Sequence, residues 1–257
     1  MSFRVEVDAS NPGQFFGCCG LFELAFRMDS SATAHFKGRA FEVTCRPTLE
    51  TVVSALTSCA RNQLDPDNNT SSPLELGAPF HFRLDWWQDA EAGGRELKVW
   101  AGTMQSGRIL AAMVGALRAD ALKGPNLFDV GQVVYDPMEP TKKVEPFYFD
   151  ARRAPNAHSR DVGFSPNDLD LTTTAFPATE ALCLIGLQRF RPMPTSARRL
   201  YDYFTWGIPL SVDVAAGVAC GAFKVANVCG FRFENWFRTG QRKHKAFRRA
   251  VSIEEGK

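Results

Sequence analysis

The chain has 257 residues, with 30 Lys and Arg against 28 Asp and Glu, for a formal net charge of +2. At 45% hydrophobic residues and 21 Phe it can bury a sizeable core, which excludes global disorder. The length admits one large domain or two small ones; we read a single domain over 1–257, and a subdivision would fall in the proline-rich stretch 137–146.

Phe3-Arg4-Val5-Glu6-Val7-Asp8 alternates apolar and charged residues, the period-two pattern of a half-buried strand. Asn11-Pro12-Gly13 then offers an N-cap followed by proline in the first helical turn. Phe15, Cys18, Cys19, Phe22, Ala25 and Phe26 fall on one face of the helix that follows. A hairpin is predicted next, from 35–37 and 41–45 joined near Gly38-Arg39. Pro47 introduces a second helix, with Leu49, Val52, Val53, Leu56, Cys59, Ala60 and Leu64 at helical spacing. Residues 65–73 are too polar and proline-broken to pack and read as a loop. Strands over 80–86 and 96–100, linked at Gly93-Gly94, and a third helix over 104–122 complete the first half.

Pro137, Pro140 and Pro146 lead into Phe147-Tyr148-Phe149-Asp150, after which 151–174 reads as irregular. The stretch 178–190 is apolar nearly all round, as in a buried helix. Residues 201–206 and 231–233 read as strands on either side of a small-residue segment, 212–222, of ambiguous type. Strands and helices mix without a βαβ rhythm, so the fold class is α+β.

The seven cysteines (18, 19, 45, 59, 183, 220 and 229) show no CxxC pair, and four histidines do not make a zinc framework with them. Cys18 and Cys19 sit in a Phe-rich run and read as buried thiols acting as small apolar residues. The N-terminus has no apolar signal region and no uncharged stretch reaches membrane-spanning length, so a reduced, soluble, cytoplasmic protein is expected. Asn68-Asn69-Thr70 matches a glycosylation sequon and reads as a chance match. No metal or other cofactor is expected.

The charge is unevenly distributed. Arg232, Arg238, Arg242, Lys243, Lys245, Arg248 and Arg249 face a single acid, Glu234, so 232–249 carries a formal +6 and the remainder −4. Phe231, Phe233, Trp236, Phe237 and Phe247 are interleaved with these bases, pairing phosphate-neutralising charge with rings able to stack on bases. With Gln241 and His244 this segment is the first candidate nucleic-acid surface. The second is the polar stretch after Asp150, where Arg152, Arg153 and His158 could meet a phosphate or a base edge. The third is Arg189 and Arg191, at the end of the apolar helix, where cations are also favoured by the helix dipole. Each has a bland alternative: a solvated charged face, an internally satisfied loop, a capped helix end.

Two enzymatic readings compete with these. Asp85 with Glu96 and Lys98 imitates the acidic hairpin of metal-dependent nucleases, a spacing that arises in any charged hairpin. His158 or His244 among arginines could serve metal-independent RNA cleavage, but neither has an evident second catalytic partner. No P-loop, GxSxG elbow or HExxH is present.

Several phrases together carry a resemblance. They are Asp8-Ala-Ser-Asn-Pro-Gly-Gln-Phe-Phe-Gly-Cys-Cys-Gly-Leu21, Pro146-Phe-Tyr-Phe-Asp-Ala-Arg-Arg153, Asn156-Ala-His-Ser159, Gly163-Phe-Ser-Pro166, Gly186-Leu-Gln-Arg-Phe-Arg-Pro192 and Arg238-Thr-Gly-Gln-Arg-Lys-His-Lys245. This set resembles the small Csb-type CRISPR-associated proteins of type I-U (also called I-G) systems, a compact form of the large Cascade subunit. The likeness runs from near residue 3 to near 249 and is weakest over 65–79. It implies an RRM-like (RAMP-like, ferredoxin-like) core and a non-catalytic role in an RNA-guided surveillance complex. It also implies binding of double-stranded target DNA, sensing of the flanking motif and recruitment of a separate helicase-nuclease. The implied partners are target DNA, guide RNA, the other Cascade subunits and that nuclease. The rival readings are a guide-RNA-coating backbone subunit, a guide-processing endoribonuclease and a protein–protein adaptor.

Overall fold

A computed structural model describes residues 2–65, 67, 72–85, 105–157, 174–238 and 243–253. Strand β1 (Ser2–Glu6) leads into α1 (Pro12–Met28), and the side chain of Asn11 caps that helix by accepting from the Gly13 N–H at 3.1 Å. Sequence spacing gave α1 one apolar face. The structure buries every residue from Pro12 to Ala25, because sheets and a second helix enclose it. That second helix is α4 below, and it crosses α1 at two glycines: a Cβ at Gly20 would overlap the Leu182 carbonyl, and one at Gly186 that of Phe16.

The predicted hairpin forms as β2 (Thr33–Lys37) and β3 (Ala40–Thr44), with Val5 of β1 in register with Phe41. Helix α2 (Leu49–Ser58) is capped by Thr48 and stops six residues short of Leu64. Arg61 ends it: its guanidinium donates to the Cys59 carbonyl at 3.2 Å, and the chain turns into β4 (Arg61–Gln63). There it pairs with β5 (Leu74–Leu76), which pairs with β6 (Phe82–Leu84). The predicted strand 96–100 lies outside the described residues. Helix α3 (Ser106–Ala116) is shorter than 104–122, and the last predicted turn is a separate 3₁₀ turn, Asp120–Lys123.

After the connector, a 3₁₀ turn over Ala151–Ala157 opens the stretch read as irregular. Helix α4 (Pro177–Gly186) is buried throughout. Strands β7 (Met193–Pro194), β8 (Leu200–Phe204) and β9 (Leu210–Ser211) follow, and the ambiguous segment is a helix, α5 (Val212–Ala219). The short strand expected at 231–233 extends to nine residues as β10 (Gly230–Arg238), and β11 (Lys243–Phe247) and β12 (Val251–Ile253) close the order.

The described residues thus form a mixed α+β fold with antiparallel sheets ordered β1-β3-β2-β9, β11-β10-β8-β7 with β12 beside β10, and β4-β5-β6. β3 lies between the parallel strands β1 and β2, whereas β4, which follows α2, joins another sheet and does not return to the edge of β1. The core sits where α1 meets the first two sheets. Phe15 lies 4.4 Å from the Tyr203 ring, the Trp206 indole donates to the Ala34 carbonyl at 2.7 Å, and the Tyr203 hydroxyl donates to the Ala9 carbonyl at 2.7 Å. One contiguous apolar cluster reaches from Phe3 to Ala250, on both sides of 137–146. No helix among the described residues is long and apolar enough to cross a membrane.

Candidate nucleic-acid interface

β10 and β11 form a hairpin in which Asn235 faces Phe247, Trp236 faces Ala246, Phe237 faces His244 and Arg238 faces Lys243, with a bulge after Trp236. The register of the two strands therefore brings Arg238, Lys243, His244 and Lys245 into the same part of the ribbon. From 235 to 253 the sequence contains no Asp or Glu. Gln241 and Arg242 lie outside the described residues, as does His158.

The alternation of β10 sorts the interleaved aromatics. Phe233 and Phe247 are buried, their ring centroids 4.9 Å apart, and Phe247 is 5.2 Å from Phe149. Phe231 stacks on Tyr203 at 5.4 Å. Phe233 and Phe247 are core rings and are not offered to a ligand, which corrects the expectation for those two, while Phe231 is half-buried. Trp236 is different: it is half-buried on the opposite face, packed on the small cluster Tyr148, Ala154 and Ala246, with the Arg248 guanidinium 4.8 Å from its ring centre.

That cluster joins two candidate segments which are far apart in sequence. The backbone N–H of Phe247 donates to the Tyr148 carbonyl at 3.0 Å, and Arg153 lies 6.0 Å from the Tyr148 ring. The turn carrying Arg152 and Arg153 is seated by buried polar groups. The Asn11 amide donates to Asp150 at 2.9 Å, while its oxygen accepts from Ala151 N–H at 3.1 Å as well as from Gly13. Glu180 of α4 accepts the N–H groups of Phe149 and Asp150, at 3.2 and 3.1 Å. Full burial pushes the Glu180 carboxyl up to about 8, with Asp150 adding to the rise and the two N–H bonds opposing it.

Several sequence-predicted cations are engaged by carboxylates. Arg152 meets Asp150 through two bonds, of 2.9 and 2.7 Å, bonds Asp129 at 3.0 Å and lies over the Phe176 ring at 3.5 Å. Arg232 makes a two-point pair with Asp202 across the sheet, both bonds 2.7 Å. Arg189 pairs with the wholly buried Glu23 and with Asp213. Arg248 bonds Glu234 at 2.9 Å, and Arg249 bonds Asp8. Arg191 donates to the Gln188 carbonyl at 3.3 Å, and burial lowers its pKa. Asp85, weighed above as a nuclease carboxylate, pairs with Arg83 at 2.9 Å, and Glu96 lies outside the described residues.

Sequence reasoning missed the roles of Tyr148 and Glu180, and that Asn11, read as a helix cap, also seats the Asp150 turn. The signal available was the presence of Asn11 and Asp150 in two of the quoted phrases. A separate cavity of about 660 Å³ opens between β4, α3 and the connector, lined by Arg61, Gln63, Gln105, Arg108, Asp136 and Met138 among others. Arg108 is matched there by Asp136 and Glu139, and Arg61 by helix carbonyls, so it is a poorer seat for a polyanion. Among the described residues no group of three His, Cys, Asp or Glu is arranged to hold a metal ion. No protein-family model matches the chain, and no curated protein or solved structure matches it.

Proposed function

We propose that the chain is a non-catalytic nucleic-acid-binding subunit of a type I-U CRISPR surveillance complex. In this reading it binds double-stranded target DNA, senses the flanking motif and helps recruit the helicase-nuclease. The observation that carries the reading is the pairing of β10 with β11, whose register brings Arg238, Lys243, His244 and Lys245 together in a stretch of sequence without acids. Lys and Arg in such a ribbon neutralise phosphates regardless of sequence, which suits a protein whose base specificity is delegated to a guide RNA.

Two further features support the proposal. Three of the phrases that carry the resemblance meet in space: 8–21 bonds to 146–153 through Asn11 and Asp150, and packs against 186–192 where Gly186 meets Phe16. The order β1-β3-β2 with α1 behind it is also the split βαβ unit on which an RRM-like core is built, although β4 departs from that plan.

The test is a gel shift of the intact chain with labelled duplex DNA and matched single-stranded RNA across a salt series. Engagement of about four phosphates gives a log–log slope near −4 on duplex. Preference for RNA alone moves the reading to a guide-coating backbone subunit, and cleavage of repeat RNA without metal to a processing nuclease. Binding of neither polymer sinks it.

A further inference from the structure

We propose that the outer edge of β4 takes up an extended, uncharged peptide segment of a partner protein as an added strand, with apolar side chains seated in the cavity beside Met138. This surface is separate from the basic hairpin and stands independently of the nucleic-acid reading.

β4 is an end strand of the sheet β4-β5-β6. The Leu64 N–H donates to the Pro73 carbonyl at 2.9 Å and the Gly77 N–H to the Ala60 carbonyl at 2.8 Å, with Asn62 opposite Glu75 between them. Bonding alternates along an antiparallel pair, so Ala60, Asn62 and Leu64 turn their backbone groups to β5. Arg61 and Gln63 therefore turn theirs away from it. Among the described residues nothing takes up the backbone N–H and C=O groups of Arg61 and Gln63.

Other edges are closed. At β6 the Gln188 side chain imitates a strand: its amide oxygen accepts the Asp85 N–H at 2.9 Å, and its nitrogen donates to the Asp85 carbonyl at 2.7 Å. At the edge of β1 the Glu6 N–H donates to the Pro125 carbonyl at 2.8 Å. The edge of β4 keeps the groups to which an incoming strand bonds.

Arg61 and Gln63 also line the cavity of about 660 Å³, so the edge and the cavity are continuous. Leu74, Pro137 and Met138 supply apolar wall there. Met138 is 80% exposed and Leu64, the next residue along from β4, is 45% exposed, apolar area that a docked strand covers. Charge decides the kind of strand. Arg108 is held by Asp136 and Glu139, at 2.9 and 2.5 Å, and Arg61 donates to the carbonyls of Leu56 and Cys59. Each charge lining the cavity is thus already engaged. A charged side chain arriving there loses water and gains no counter-charge, whereas an apolar one loses nothing.

The experiment selects short random peptides, displayed on phage, against the intact chain and measures the enriched peptides by fluorescence anisotropy. Proline at 63 removes an outward N–H and leaves the pairing of β4 with β5 in place. Enriched peptides should be uncharged with apolar residues at alternate positions. They should bind Gln63→Pro and Met138→Glu at least about tenfold more weakly than wild type, while Gln63→Ala stays within about threefold. Equal urea melts establish that the variants fold; if Gln63→Pro melts early, Met138→Glu, at an exposed position, and Gln63→Ala carry the test. No enrichment on wild type, a charged consensus, or peptides that bind the folded Gln63→Pro or Met138→Glu variant as tightly as wild type overturns the proposal. Self-association of the chain that either variant abolishes would put a second copy at this edge and overturn the partner peptide.

Discussion

The backbone N–H of Phe247 donates to the carbonyl of Tyr148 at 3.0 Å, fastening the last residue of β11 to the chain that enters Asp150. Tyr148 accepts that bond from a left-handed conformation, φ 64°, which non-glycine residues rarely adopt. Its position is over-determined. The ring is buried against Ala154 and Ala246, and the phenol donates to Glu145 at 2.6 Å. Burial, with Glu145 beside it, pushes the phenol pKa well up, so it remains a donor at any ordinary pH. Two segments almost a hundred residues apart are thereby held together, with Arg153 buried and Arg152 engaged by Asp150 and Asp129.

The Tyr148→Phe variant should keep the ring and lose the Glu145 bond. We expect a loss of about 1 kcal/mol in urea unfolding with no change in nucleic-acid affinity, because the ring packed on Ala154 and Ala246 is retained. A drop in affinity without a drop in stability would place the hydroxyl in the ligand site.

Glu180 makes stability depend on pH. Its carboxyl is raised from an ordinary 4.5 to about 8, first by desolvation and then by Asp150. Between these values the folded chain holds a proton that the unfolded chain has released. The contribution is therefore full below the unfolded pKa and declines as pH rises towards 8, by up to about 1.4 kcal/mol per pH unit. Glu180→Gln should flatten that decline in urea melts at pH 5 to 8, at the cost of one acceptor for the Phe149 and Asp150 N–H groups. Parallel pH profiles for the two proteins would show that Glu180 does not titrate in this window.

The α1–α4 crossing predicts the most damaging small change. Gly186→Ala puts a methyl into the Phe16 carbonyl, and backbone cannot yield as a side chain would. We expect a loss of about 3 kcal/mol or failure to accumulate folded protein, against well under 1 kcal/mol for Gly124→Ala, where a Cβ meets nothing within 4 Å. Equal melts for the two variants would contradict the close approach.

Local signals carried the early part of the fold. Asn11-Pro12 marked the start of α1, and the alternation of Phe3–Asp8 and the Gly38-Arg39 turn marked β1 and the β2–β3 hairpin, because caps, turns and period-two patterns act within a few residues. What was illegible is long-range. Nothing local says that Arg61 ends α2 or that both faces of α1 are covered, since helix spacing assigns one face and packing buries the other. In the candidate site the density of cations was visible, but the partner of each was not: Asp202 opposite Arg232 and Glu23 beneath Arg189 are thirty and 166 residues away. Nor could composition distinguish Trp236 from Phe233 and Phe247, which differ only in the face of the sheet they occupy.

Those pairings divide the arginines into two classes that different measurements separate. Arg189 lies on the wholly buried Glu23, shared with Arg27, so Arg189→Met leaves a buried carboxylate with one partner. It should lower stability by about 2 kcal/mol, and the folded fraction should bind nucleic acid as the wild type does. Charge reversal at Arg242, Lys243 and Lys245 should do the opposite. All three fall in a stretch of sequence without acids, and Lys243 and Lys245 belong to β11. The melt of that triple variant should stay within about 0.5 kcal/mol of wild type, while duplex binding is lost at all but the lowest salt, since three positive charges become negative beside the phosphates. If instead the triple variant binds normally and Arg189→Met does not, the polyanion surface lies at the end of α4 and not on the hairpin.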